Sequence, residues 1–291
     1  MTRASLSREL FGRRFQNPLL LAAGTAGFGR ELDGVLDLER LGGLITKAVS
    51  LEPRHGNAVP RVAEFPGGML NSVGLANPGV EQVRNHYLPW LAGRLVRAHL
   101  VVNVVGFTLD EYGEVVGRLD GLLPITAFEL NLSCPNTAAG GIEFGADPAC
   151  VRRIVSTCRT RTRLPLIAKL SPLLPDIGGM ALVARDAGAD AISAVNTIPG
   201  LLFGSNGGTR LGHGNGGISG PVLLPLGVLA VSRILERTGG MPVIGVGGVR
   251  SAADVRQYLR VGASLVAMGT GAMADPRLPQ RIIGDLERGD G

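Results

Sequence analysis

The chain has 291 residues, 45% of them hydrophobic, with a formal charge of +5 and a pI near 9.6. It is long enough to bury a large core, and the length suits two modest domains or one α/β barrel. Its basicity does not point to nucleic acid, because the arginines are scattered and no basic run is interleaved with aromatics. Three cysteines, at 134, 150 and 158, form no metal-type pair and leave one unpaired in any disulfide scheme, which suits a reducing cytoplasm.

From the N-terminus, Met1 to Phe15 carries Arg3, Arg8, Arg13 and Arg14 with no continuous apolar stretch, so it reads neither as a signal peptide nor as an anchor. No 18-residue apolar span follows, and a soluble, cytoplasmic protein is expected. Short apolar runs then alternate with amphipathic stretches, the pattern of repeated βα units around a parallel sheet. Strands are predicted at Leu19–Ala23, Leu44–Thr46, Leu100–Val104, Ala127–Leu130, Leu166–Leu170, Ala191–Val195, Val243–Val246 and Leu265–Met268. Helices are predicted near 32–41, 80–92, 108–119, 148–162, 177–187, 222–238, 252–261 and 278–287, with Asp147-Pro148 and Ser251 as start signals. Eight units favour a (β/α)₈ barrel, a single domain over residues 1–291, above a doubly wound sheet. Two connections, Ala48 to Pro78 and Asn196 to Gly220, are too long for βα turns and fall on the C-terminal face, where barrels build active sites. The second is rich in Gly, Ser and Asn and is expected to act as a mobile lid.

Such a barrel brings Gly24, Lys47, Asn103, Asn131, Lys169, Asn196, Gly247 and Gly269 to one mouth. Lys47 and Lys169 are the chain's two lysines against 27 arginines, and both close apolar runs. A compact ammonium in a tight site is not replaceable by arginine's planar fork. The strand-end amides, with Asn71 and Asn136, suit a planar heterocycle bearing carbonyls and ring N–H groups. Gly245-Val246-Gly247-Gly248 and Met268-Gly269-Thr270-Gly271 end the last two strands, where barrels commonly hold phosphate. Phosphate and planar ligand together suggest FMN across the mouth, with no metal.

Cys134 lies in Asn131-Leu132-Ser133-Cys134-Pro135-Asn136, where a strand turns into a loop. No second cysteine is near enough for a Cys-x-x-Cys pair, and His55, His86, His99 and His213 show no distinctive context, His213 alone lying in the lid. Proton abstraction from a carbon acidified by a neighbouring carbonyl remains for Cys134. Cys150 and Cys158 read as packing residues on a helix.

From about Asn17 to Leu286 the chain resembles the dihydroorotate dehydrogenases, whose catalytic loop is Asn-Leu-Ser-Cys-Pro-Asn in the cytoplasmic class. Gly140 to Pro148, Leu51 to Asn57 and Met69 to Gly79 resemble the NAD-linked, two-subunit subclass rather than the fumarate-using homodimers. The resemblance implies oxidation of dihydroorotate to orotate, with Cys134 removing a proton while the neighbouring carbon gives hydride to FMN. Lys47 would act beside it, between flavin and substrate. Substrate contacts would come from Lys47, Asn71, Ser72, Val73, Gly74, Leu75, Asn131, Asn136, Asn196 and Thr197. FMN contacts would come from Ala23, Gly24, Lys47, Ala48, Asn103, Asn131, Lys169, Val195, Gly220, Gly247, Gly248, Gly269 and Thr270, with Lys169 stabilising the anionic reduced ring.

The subclass further implies a homodimer and a second subunit carrying FAD and an iron–sulfur cluster, which passes electrons to NAD. This chain has no cysteine set for a cluster. The sequence departs from the family at Ala23, where a serine is usual, at Ala26, where an aromatic is common, and across Leu201 to His213. The competing readings are a related flavin barrel acting on another dihydropyrimidine, against which Asn136 speaks, the fumarate-dependent subclass, and a barrel that has lost catalysis.

Overall fold

The computed structural model describes residues 6–133, 135, 136 and 142–289. Eight short strands, buried throughout except at His99 and Asn131, form a closed parallel barrel: β3 (Leu19–Leu21), β4 (Gly43–Ile45), β7 (His99–Val104), β8 (Ile125–Asn131), β11 (Leu166–Leu170), β12 (Ala191–Ala194), β15 (Val243–Val246) and β16 (Leu265–Met268). The ring closes where β16 pairs with β3 through Val266↔Leu19, Ala267↔Leu20 and Met268↔Leu21. All eight predicted strands are present, within two residues at either end.

Two-residue periodicity decides what fills the ring. Leu20, Ile45, Val101, Ala127, Ile167, Ala191, Ile244 and Leu265 point inward and form one apolar cluster. Their neighbours, such as Leu21, Leu44, Val102 and Phe128, face the helices. The N-terminal hairpin, β1 (Arg8–Leu10) with β2 (Arg13–Phe15), joins Leu10, Phe11 and Phe15 to the inner cluster. His99 is structural: its ring lies 4.2 Å from that of Phe15, and Nε2 is 3.1 Å from the Arg14 carbonyl.

The helices follow their caps. Thr108 accepts from the Glu111 N–H to open α3 (Leu109–Leu119), which buries Tyr112, Val115, Val116 and Leu119 on one face. Asp147, with Pro148 at the first turn, opens α4 (Pro148–Arg159), and Ser251 opens α7 (Ala252–Arg260). Between them run α5 (Ile177–Asp186) and α6 (Leu224–Thr238); α8 (Thr270–Ala274) and α9 (Leu278–Arg288) end the chain. The helix near 80–92 is α1 (Val80–Gln82) and α2 (Leu88–Ala92) joined by a π turn over Val83–Tyr87. Pro89 lacks the N–H that would continue a regular ladder there.

The helix expected at 32–41 does not form. Two single 3₁₀ turns, Arg30–Leu32 and Leu38–Arg40, stand in its place. Gly34 between them is left-handed at φ +76°, and the Asp37 side chain accepts from the Glu39 N–H, starting a new turn.

The two long connections pair with each other, which their composition did not reveal. β5 (Val62–Phe65) and β6 (Gly68–Asn71) from the first join β13 (Ile198–Gly200) and β14 (Gly216–Ser219) from the second, in the order β13-β14-β6-β5. The expected lid is thus anchored at both ends in a sheet packed on Ala63, Leu70 and Leu211.

Asn77 ties the first connection to the barrel from a buried position. It accepts from the Ser50 and Gly79 N–H groups at 3.2 and 2.9 Å, and donates to Ser50 Oγ and the Leu75 carbonyl, both at 2.8 Å. Asn77→Ala leaves these buried partners unsatisfied and is expected to destabilise the protein by about 3 kcal/mol. Urea denaturation of the variant against the parent measures it.

Candidate active site

One cavity of about 290 Å³ opens at the C-terminal end of the barrel, close to the lower end of the ~300–1,000 Å³ usual for ligand sites. Its wall contains residues from every barrel strand or the turn after it: Ala23 and Gly24, Lys47 and Ala48, Asn103, Asn131, Lys169, Val195 and Asn196, Gly247 and Gly248, Gly269 and Thr270. From the two long connections come Asn71, Val73, Leu75, Thr197 and Gly220. Met69, Ser219, Leu223 and Met273 also line it. None of the four was singled out from the sequence as a site residue, although Met69 opens the Met69 to Gly79 segment that carries the family resemblance.

Two expected substrate residues do not line this cavity. Ser72 Oγ accepts from Asn57 Nδ2 at 2.8 Å, and Gly74 is left-handed at φ +71°, where a Cβ would meet Asn57 Oδ1 at 2.4 Å. Both shape the loop that carries Val73 and Leu75. His213 is exposed and likewise absent from the wall. Cys134 lies outside the described residues; Asn136 is placed through its backbone, in a two-residue strand (Pro135–Asn136) paired with Ile142–Glu143.

The amides are braced against one another. Asn196 Nδ2 donates to Asn131 Oδ1 at 3.4 Å, and Asn196 Oδ1 accepts from the Thr197 N–H at 2.8 Å. Asn71 Nδ2 donates to the Gly217 carbonyl at 3.0 Å, coupling the two long connections at the cavity wall. The Tyr112 hydroxyl donates to the Asn131 carbonyl at 2.7 Å, fixing the end of β8 from behind.

The lysines sit in different surroundings. Lys47 is half-buried, and desolvation holds its ammonium below the ordinary lysine range; Glu31 opposes this shift and Arg61 adds to it. Lys169 is buried, with its Nζ 3.6 Å from Glu129 Oε1. Glu129 is wholly buried, and Asn103 Nδ2 donates to the same Oε1 at 2.6 Å. Sequence reading passed over Glu129 as part of an apolar run, although a charged residue two places before Asn131 shares its inward parity and was a signal.

At the opposite wall Gly247 and Gly248 are left-handed at φ +121° and +78°, and a Cβ on Gly248 would lie 2.5 Å from the Leu224 nitrogen. The Tyr258 hydroxyl donates to the Gly247 carbonyl at 2.8 Å. Gly227 and Gly245 leave room for that ring, since a Cβ on either would lie about 2 Å from it. Thr270 Oγ1 donates to Ser219 Oγ at 2.8 Å, closing the rim.

Fold and site together define a closed α/β barrel whose mouth is a cavity walled by amides and lysines, with glycine turns after β15 and β16. The dihydroorotate dehydrogenase family model matches residues 5–289. The chain is 42% identical to the dihydroorotate dehydrogenase B (NAD(+)) catalytic subunit of Pelobacter propionicus, over 96% of this chain and 91% of that one. It is 44% identical to the protein of the same name from Desulforudis audaxviator, over 95% and 90%. A crystal structure of DHODH from Eimeria tenella, in complex with ferulenol, superposes with a TM-score of 0.82 at 23% identity, over 97% of this chain and 83% of that one, a likeness of fold. The chain belongs to the dihydroorotate dehydrogenase family.

Among the described residues, no group of three or more His, Cys, Asp or Glu side chains could hold a metal ion, and no helix is long and apolar enough to cross a membrane. Of the described cysteines, Cys150 is half-buried and its thiol donates to Asp147 at 3.2 Å, while Cys158 is fully buried and burial pushes its thiol up to about 12. Both lie on α4, as expected. A neutral aromatic-disulfide reagent should therefore leave Cys158 unlabelled in the native protein and modify it on unfolding. Peptide mass mapping checks this, and native labelling of Cys158 would contradict the packing of α4.

Proposed function

We infer that this chain is the catalytic subunit of an NAD-linked dihydroorotate dehydrogenase of de novo pyrimidine (UMP) biosynthesis, oxidising dihydroorotate to orotate with FMN at the barrel mouth. The observation that carries the reading is the meeting of Lys47, Asn71, Asn131 and Asn196 in one cavity that continues to the glycine turns at Gly247 and Gly269. The residues present fit FMN: among the described residues, Asn103 Oδ1 is buried without a hydrogen-bond partner on the cavity wall, Lys169 supplies a cation there, and no atom lies within 4 Å of where a Cβ on Gly24 would stand. Ala23, Gly24, Ala48, Asn103, Lys169, Val195 and Gly220 would hold the ring and ribityl chain, and Gly247, Gly248, Gly269 and Thr270 the phosphate. FMN, when bound, accepts the hydride.

The chain's own groups do the rest. Lys47 and the amides of Asn71, Asn131, Asn136 and Asn196, with Thr197, bind the pyrimidine and its carboxylate, as Val73 and Leu75 exclude water beside them. Ser72 and Gly74 act by shaping their loop. Cys134 is the general base that takes the proton alpha to the ring carbonyl. The reading includes a homodimer and a partner subunit carrying FAD and an iron–sulfur cluster, in the cytoplasm.

Extraction of the purified protein should yield one FMN per chain, and anaerobic dihydroorotate should bleach its visible absorption. Reduction of NAD should appear only with the partner subunit added; a protein with no flavin, or one that dihydroorotate fails to bleach, sinks the reading.

The lowered Lys47 pKa gives a second test. A carboxylate ligand binds the protonated ammonium, so its affinity falls as pH rises through the depressed pKa and is already declining below the ordinary lysine value of 10.5. Orotate titrations between neutral and alkaline pH should show this loss in the parent protein and a flat, weaker profile in Lys47→Ala.

A further inference from the structure

Among the described residues, Glu129 is the one fully buried carboxylate, and the mechanism above leaves it without a task. It stands on the inward face of β8, between Ala127 of the apolar cluster and Asn131 of the cavity wall, and is 0% exposed. It is not part of that wall; Lys169 and Asn103, which are, stand between it and the cavity. Oε1 meets both of them, at 3.6 and 2.6 Å, while Oε2 has no hydrogen-bond partner among the described residues. Ser193, on the neighbouring strand face beside Lys169, is also buried, and its hydroxyl has no partner among the described residues.

Burying a carboxylate on one ion pair and one amide is costly, and apolar residues of similar volume commonly serve a core as well or better. The inward residues on the strand levels next below Glu129, Ala127, Val101 and Ile167 among them, are apolar. Folding therefore gives no reason for a carboxylate at this height, whereas the site does. A lysine facing a bound flavin favours the extra negative charge of the reduced ring, and a lone buried ammonium would do so strongly because little solvent screens it. A carboxylate 3.6 Å behind that ammonium cancels part of its field.

We propose that Glu129 is a positioning residue that sets the flavin's redox potential through Lys169: it offsets the ammonium's charge, and its bond to Asn103 Nδ2 aims Asn103 Oδ1 at the cofactor. The pair keeps the reduced flavin a good enough donor to pass electrons to a low-potential acceptor of the nicotinamide class. This rests on the reading of the site as an FMN site.

The test is the midpoint potential of the FMN-loaded protein, by anaerobic dye-equilibrium titration, in wild type, Glu129→Gln, Lys169→Met and the double variant. Glu129→Gln should raise the potential, tightening reduced over oxidised flavin by about 10-fold, equivalent to about 30 mV for a two-electron couple. Lys169→Met should lower it, and in that background Glu129→Gln should have a much smaller effect, because the carboxylate acts through the ammonium. Glu129→Asp, which keeps the charge but draws it back by one methylene, should shift the potential upward by less, and it stands in if the glutamine variant does not fold. An unchanged potential in Glu129→Gln, or in Glu129→Asp where that is the folded variant, overturns the proposal, as does an undiminished shift in the Lys169→Met background. A wild-type protein that holds no flavin overturns the functional reading beneath it instead.

Discussion

Closure of the barrel between β16 and β3 is the constraint on which the site depends. The Val266↔Leu19 register brings the first and last strands side by side, so Gly24 after β3 and Gly269 after β16 line the same cavity although 245 positions separate them. Once the ring is closed, strand alternation decides which residues face its axis. At the lower levels those are aliphatic or small, and at the rim they are amides, lysines and glycines. The polar rim is tolerable because it rests on that apolar plug and opens upward into a cavity that can satisfy it.

The same geometry accounts for the two lysines. Lys47 stands two residues beyond β4, half-exposed and adjustable, whereas Lys169 is held inside β11 against Glu129. A guanidinium at the second position would need room for its planar fork, whereas a compact ammonium fits beside Glu129. Two ammonium groups of unlike environment suit two unlike partners, a carboxylate on the solvent side and a ring buried deeper. The glycine turns opposite them are braced by Tyr258, whose ring needs Gly227 and Gly245 to be side-chain-free.

Most strands and helices were legible because each carries its own signal. A run such as Leu166–Leu170 is short and apolar, and α3, α4 and α7 begin with a capping side chain. The stretch at 32–41 failed because Gly34 and Asp37 favour turns more strongly than the surrounding leucines favour a helix. The hairpin at Arg8–Phe15 was missed because its apolar residues, Leu10, Phe11 and Phe15, make sense only against the barrel floor. The sheet over the mouth was missed because Gly216–Ser219 has almost no strand propensity of its own and is ordered by pairing with Gly68–Asn71.

For the site, the sequence by itself determined which residue types stand at the strand ends, and strand period with barrel closure was enough to gather them. Lys47, Asn103, Asn131, Lys169 and Asn196 needed no further information. Tertiary structure alone decided what lies one layer away. Ser72 and Gly74 sit in the right segment yet face Asn57, because a left-handed turn at Gly74 points the loop elsewhere. Glu129 became meaningful only when β7 and β11 set Asn103 and Lys169 on either side of it. Local periodicity states that a side chain points inward; which groups it meets there depends on register between strands far apart in the chain, and register is a property of the closed sheet.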